Sequence, residues 1–145
     1  MVILVSAENN KSYFTLTVYG GYMMNSDKKI LVCDDSILAR KSLCGILSGY
    51  GFKDIVEVSN GEDCVNYCRD NRPDIVFLDI VMPIKDGVTA TREIMEDNPD
   101  TKIIIVSSVG TQTHIKEAIK AGAKDFIQKP IDEDLLKQVL ENVNG

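Results

Sequence analysis

From Lys28 onward the chain alternates short, mostly apolar runs with longer amphipathic stretches, and this alternation restricts the fold more than any other feature. The apolar runs are Ile30–Cys33, Ile55–Val58, Ile75–Leu78, Ile103–Val106 and Asp125–Gln128. They are continuous rather than alternating, the pattern of strands buried on both faces. Between them lie helical periods. Ser36–Gly49 carries Ala39, Leu43, Ile46, Leu47 and Tyr50 at helical spacing, with Asp35 or Ser36 as N-cap and Gly49 and Gly51 as stops. Glu62–Asp70 turns Cys64, Val65 and Cys68 inward, and Val88–Glu96 ends before Asn98-Pro99. Thr113–Ala121 sets Ile115, Ala118 and Ile119 on one face and closes at Gly122. A last helix from about Asp132 carries the stripe Leu135, Leu136, Val139, Leu140 and Val143. Five strands alternating with five helices predict βαβ units with right-handed crossovers: an α/β, doubly wound parallel sheet with helices on both faces.

The 145 residues suit one ordinary domain, and 44% apolar residues suffice for its core. A formal net charge of -6 disfavours nucleic acid and anionic membrane surfaces as partners. No apolar run approaches the roughly 18 to 20 residues that span a bilayer. The four cysteines (Cys33, Cys44, Cys64 and Cys68) form no C-x-x-C pair, and His114 is the only histidine. They read as small apolar filler in a reducing cytoplasm rather than as a zinc site.

Residues 1–23 stand outside the alternating pattern, which assigns residues 24–145 to the domain. Val2–Val5 and Tyr13–Tyr19 read as two strands around Glu8-Asn9-Asn10-Lys11, while the absence of a cationic start argues against a signal peptide. Gly20-Gly21 precedes Met23-Met24, and consecutive glycine codons can spell a purine-rich ribosome-binding site. The expectation is that the native chain begins at Met23 or Met24; the alternative is an added edge hairpin. N-terminal mass spectrometry of the natural protein decides between them.

Function in an open parallel sheet gathers beyond the carboxyl ends of the strands. After the first strand come Asp34-Asp35, after the third Asp79, after the fourth Ser107-Ser108, after the fifth Lys129-Pro130. Each has a bland reading alone: a helix cap, a turn residue, a loop start, a solvated charge. Their coincidence at one edge is what carries information. Three close carboxylates repel one another and call for a cation, and hard oxygen donors with a partly open shell suit Mg²⁺. A carboxylate beside Mg²⁺ can attack phosphorus and form an acyl phosphate. The three equatorial phosphoryl oxygens would then be met by Mg²⁺, the Lys129 ammonium and the Ser107 hydroxyl.

At these residues the sequence resembles the receiver domains of two-component response regulators, over roughly Lys28 to Val143. The resemblance rests on "ILVCDDS", "DIVFLDIVMPIKDG", "IIIVSSVG" and "GAKDFIQKP". "VSSVGTQTHIKEAIKAGAKDFIQKP" is similar to stand-alone CheY-like chemotaxis proteins. It implies a flavodoxin-like, five-stranded sheet in order 2-1-3-4-5. By it, Asp79 is the phosphoacceptor, and Asp34, Asp35, Asp79 and the backbone carbonyl of Val81 hold Mg²⁺. Ser107 and Lys129 contact the phosphoryl group, and the Lys129-Pro130 peptide is cis. Ser107 and Phe126 form the switch pair, although a tyrosine is often seen at Phe126; a plain core aromatic is the alternative. The face made by the fourth helix, fifth strand and fifth helix is where partners dock.

Two residues depart from the fast-decaying chemotaxis pattern. Val81 and Val109 stand where polar side chains commonly help hold the hydrolytic water, so a long phosphoryl lifetime is expected. The resemblance implies a cytoplasmic single-domain response regulator, phosphorylated by a histidine kinase, that signals in chemotaxis by binding another protein such as the flagellar motor switch. After Pro130 only 15 residues remain, filled by the last helix, so output is expected to come from protein binding. The alternative is a relay intermediate that passes the group to a phosphotransfer protein. A haloacid-dehalogenase-type phosphatase is disfavoured because those enzymes usually carry an acid two residues past the nucleophile, where this chain has Val81. A degenerate receiver acting without phosphorylation is disfavoured by the full set of site residues.

Overall fold

The computed structural model describes residues 2–6, 13–19, 22–25, 27–108 and 111–144. The element order is β1 (Val2–Ser6), β2 (Tyr13–Tyr19), β3 (Tyr22–Asn25), β4 (Lys29–Cys33), α1 (Ile37–Gly49), β5 (Asp54–Val58), α2 (Gly61–Asn71) and β6 (Ile75–Leu78). It continues with α3 (Gly87–Asp97), β7 (Lys102–Ser107), α4 (Gln112–Ala121), β8 (Asp125–Gln128) and α5 (Glu133–Asn144). Strands β4 to β8 form one parallel sheet in the order β5-β4-β6-β7-β8. Numbered within that sheet, the order is 2-1-3-4-5, as the sequence reading expects.

The apolar runs are continuous because alternate side chains enter two different cores. Ile75 and Phe77 of β6 join Ile30, Val32, Ile104 and Val106 in a core closed by Leu43 and Leu47 of α1 and Leu136, Val139 and Leu140 of α5. Val76 and Leu78 point the other way, with Leu31, Cys33, Ile103 and Ile105, into a core closed by α2, α3 and α4. Burying each such side chain contributes about 2 kcal/mol, so the two-sided strands anchor the sheet. Ser36 caps α1 by accepting from the Ala39 N–H, which leaves Asp35 exposed and outside the cap. Asn60, Asp86 and Thr111 cap α2, α3 and α4 in the same way.

The cysteines are all unpaired, and three are buried in the α2 side of the core. Hydrogen bonds with Cys33 and Cys68, then burial, push the Cys64 thiol up, as befits inert filler. Two expected stripes are narrower than their periodicity implies. Leu135 is exposed on α5 and Ile119 on α4, so among the buried residues of α4 only Ala118 remains.

In the N-terminal segment, β1 and β2 pair antiparallel, as their sequence suggests. A third strand, β3, pairs with β2 and contains Met23 and Met24; two consecutive glycines masked its onset in the sequence. The loop Glu8-Asn9-Asn10-Lys11 lies outside the described residues. Among the described residues, no helix is long and apolar enough to cross a membrane.

Candidate functional site

Parallel pairing puts the four strand ends at one edge. Cys33 is in register with Leu78, Leu78 with Ile105, and Ser107 with Gln128. The ladders continue one residue past the strands. The Asp34 N–H donates to the Val58 carbonyl (3.2 Å), Asp79 N–H to Cys33 (3.0 Å) and Lys129 N–H to Ser107 (3.0 Å). The backbones carrying the chemistry are therefore held as part of the sheet, with the side chains projecting beyond it.

Those side chains meet. Ser107 Oγ, fully buried, donates to Asp79 Oδ1 at 2.7 Å. Lys129 Nζ bridges Asp34 Oδ2 at 2.5 Å and Asp79 Oδ2 at 3.1 Å. Asp34 Oδ1 accepts from the Ser36 N–H at 2.9 Å. Asp34 and Asp79 are buried while Asp35 is exposed, and one carboxylate oxygen of each lies within 4.8 Å of the others. Burial opposes the charge on Lys129, but hydrogen bonds to Asp34 and Asp79 outweigh it and hold its pKa above the usual lysine value. The ammonium neutralises one carboxylate equivalent of three. The remainder is a hard, anionic oxygen cluster with one exposed member, and it fits a divalent cation such as Mg²⁺ that keeps several waters.

The loop between Asp79 and α3 is shaped by close approaches that the motif "MPIKDG" does not display. A Cβ on Gly87 would lie 2.1 Å from the Asp79 carbonyl oxygen, and one on Gly61 would lie 2.1 Å from that of Lys85. These glycines let α3 and α2 abut the loop. Lys85 then pairs with Glu62 at 2.9 Å and with Glu93, tying the loop to both helices. The Lys129-Pro130 peptide is cis, as the resemblance implies. Phe126 is half-buried and packs against the α2–α4 core. The Val81 side chain is 58% exposed at the mouth, and its N–H reaches Asp79 Oδ1 only at 3.4 Å. Val109 lies outside the described residues.

Ile84 adopts φ 72°, a left-handed conformation that a β-branched residue rarely takes, and its side chain is 79% exposed. Strain there is not offset by packing. Ile84→Gly is expected to stabilise the fold by about 1 kcal/mol, net of the greater unfolded-state entropy of glycine. Thermal melts check this, and a lower melting temperature in the variant would show that Ile84 makes compensating contacts.

The response regulator receiver domain family model matches residues 30–141. The chemotaxis protein CheY of Thermotoga maritima is 40% identical over 117 residues, spanning 81% of this chain and 98% of the relative. The CheY of Bacillus subtilis is 40% identical over 116 residues, spanning 80% and 94%. Among solved structures, the CheX–CheY–BeF3–Mg complex of Borrelia burgdorferi superposes with a TM-score of 0.76 at 35% identity, covering 80% of this chain and 88% of that one. The receiver domain of sensor histidine kinase PA1611 from Pseudomonas aeruginosa PAO1, which has a magnesium ion in its active-site cleft, gives a TM-score of 0.75 at 26% identity, covering 82% and 98%. With the sheet order and the acidic edge already in hand, these matches show that the chain belongs to the response regulator receiver domain family and is CheY-like.

Proposed function

We propose that the chain is a single-domain response regulator that accepts a phosphoryl group on Asp79 from a histidine kinase and signals in chemotaxis through phosphorylation-dependent protein binding. The observation that carries this reading is the Asp79 carboxylate itself. It is held on one oxygen by Ser107 and on the other by Lys129, beside Asp34 and Asp35. The CheY relatives are matched over nearly their whole length, which supports a receiver acting alone. Asp34, Asp35 and Asp79, with the Val81 carbonyl, would hold Mg²⁺. When bound, it offsets negative charge between the carboxylates and a phosphoryl oxygen.

In the proposed transfer an Asp79 oxygen bonds to phosphorus as the bond to the donor's imidazole nitrogen breaks, the electron pair leaving with the ring. No base is needed, because the attacking group is already an anion. Lys129 and Ser107 turn their donors from the Asp79 carboxylate to the arriving phosphoryl oxygens. Movement of the Ser107 hydroxyl leaves room for Phe126 to move inward. That alters the face of α4, β8 and α5, which a motor-switch protein would read. The reading implies a cytoplasmic protein.

A relay role is the second reading, and Val81 favours it. Its exposed, apolar side chain gives a hydrolytic water nothing to bond, so the acyl phosphate should persist long enough to be passed on. The test is labelling with acetyl phosphate in Mg²⁺. One phosphoryl group per chain is expected, abolished in Asp79→Asn, with decay over minutes after the donor is removed and faster decay in Val81→Asn. Continuous phosphate release over many turnovers would instead identify a hydrolase, and labelling that survives in Asp79→Asn would move the acceptor elsewhere. Affinity capture with the phosphorylated form separates a motor-switch partner from a phosphotransfer partner.

A further inference from the structure

Helix α1 sends one cation back toward the acidic cluster. Arg40 Nη1 donates to the backbone carbonyl of Asp34 at 2.7 Å, and its Nε donates to Glu57 Oε1 of β5 at 3.3 Å. The Arg40 side chain is only 14% exposed. Glu57 also pairs with Lys41 at 2.7 Å, a bond that heads the causes lowering its pKa. Glu57 is thus a charged post on the edge strand, and Arg40 spans from it to the first peptide beyond β4.

That peptide has a special position. The β4–β5 register ends at the pair Cys33 and Val58, and the last backbone bond beyond it is made by the Asp34 N–H, so the Asp34 carbonyl lies just past the ladder. It also joins Asp34 to Asp35, two of the three acidic residues of the cluster. The Asp34 N–H is fixed on the Val58 carbonyl at 3.2 Å. Fixing the carbonyl as well sets the orientation of the peptide plane, and with it the directions in which both carboxylates leave the backbone. A planar guanidinium can bond the carbonyl and Glu57 together, whereas an ammonium offers no fork for both.

We propose that Arg40 is a positioning residue for the divalent-cation site, acting through the Asp34 carbonyl with Glu57 as its anchor. This rests on the reading of Asp34, Asp35 and Asp79 as the Mg²⁺ ligands. It has a consequence opposite in sign to simple electrostatics. Removing a cation near an anionic site should tighten Mg²⁺ by Coulomb attraction, while losing the hold on the 34–35 peptide should weaken it.

The experiment is calorimetric titration of the metal-free full chain with MgCl2 at fixed ionic strength, for wild type, Arg40→Met and Arg40→Lys. Thermal melts in EDTA confirm that each variant is folded. Arg40→Met is expected to bind Mg²⁺ about tenfold more weakly, the scale on which residues behind metal ligands act. Arg40→Lys keeps the charge and is expected to fall between it and wild type. Affinity in Arg40→Met equal to or tighter than wild type would overturn the proposal, as would wild-type affinity in Arg40→Lys if Arg40→Met does not fold. Failure of wild type to bind Mg²⁺ at all would instead remove the metal reading beneath it.

Discussion

Gly87→Ala is expected to destabilise the protein by about 3 kcal/mol, while the same substitution at Gly45 stabilises it by about 0.5 to 1 kcal/mol. What the added methyl group meets separates the two sites. At Gly87 it meets the Asp79 carbonyl oxygen at 2.1 Å and the Ile80 Cα at 2.8 Å, both backbone atoms that cannot swing aside. At Gly45, exposed in the middle of α1, nothing lies within 4 Å, so alanine adds helix propensity without a clash. For a domain of this size, the Gly87 variant should melt roughly 10 °C lower. Because the atom displaced is the carbonyl of Asp79, labelling by acetyl phosphate should fall along with stability. Gly87→Ala and Gly45→Ala melting at the same temperature would show that the α3 start has room to withdraw.

Lys129→Met carries the second large effect. The Lys129 ammonium touches both buried carboxylates. Removing one partner of a buried pair typically costs about 3 to 5 kcal/mol, because the remaining charge is left uncompensated. Here two are left. The variant is expected to melt far below wild type in EDTA and to regain most of the loss in millimolar Mg²⁺, the cation replacing the ammonium. On the proposed function its labelling should stay low even when stability is restored, since Lys129 would no longer donate to the phosphoryl group; loss of such a donor costs about 10²- to 10³-fold in rate. The pH response follows from the raised Lys129 pKa. Its stabilising contribution is full below the usual value of 10.5 and is lost as pH rises through the higher folded value. Lys129→Met should lack that alkaline loss. Equal stability of variant and wild type in EDTA would mean that solvent already screens the pair.

How much of this could be read from the chain alone varies with the distance over which the cause acts. β6 is legible because burial on both faces leaves a continuous run, Ile75 to Leu78. Gly122 as a stop and Ser36 as one of two candidate caps follow from local propensity, while crossover handedness alone leaves a few doubly wound sheets, among which the family resemblance implies the observed order. Asp34, Asp35, Asp79, Ser107 and Lys129 are legible as a group because parallel strands deliver their C-terminal ends to one edge. Leu135 and Ile119 were misleading for a related reason: periodicity marks the apolar face of a helix but not how far a neighbouring layer covers it.

Local pattern and connectivity thus determined the strands, the helices, their order along the chain and the residues at the strand-end edge. The tertiary structure alone decided which of those residues touch. Ser107 lies 28 positions from the Asp79 oxygen it bonds, and Lys129 lies 95 from that of Asp34. It also decided that Gly87 and Gly61 must lack side chains, that Ile84 sits in a left-handed turn, and that Arg40 bonds the peptide between Asp34 and Asp35. Hydrogen bonds and backbone contacts act over about 3 Å, and sequence spacing carries no information at that scale for segments that meet only after folding.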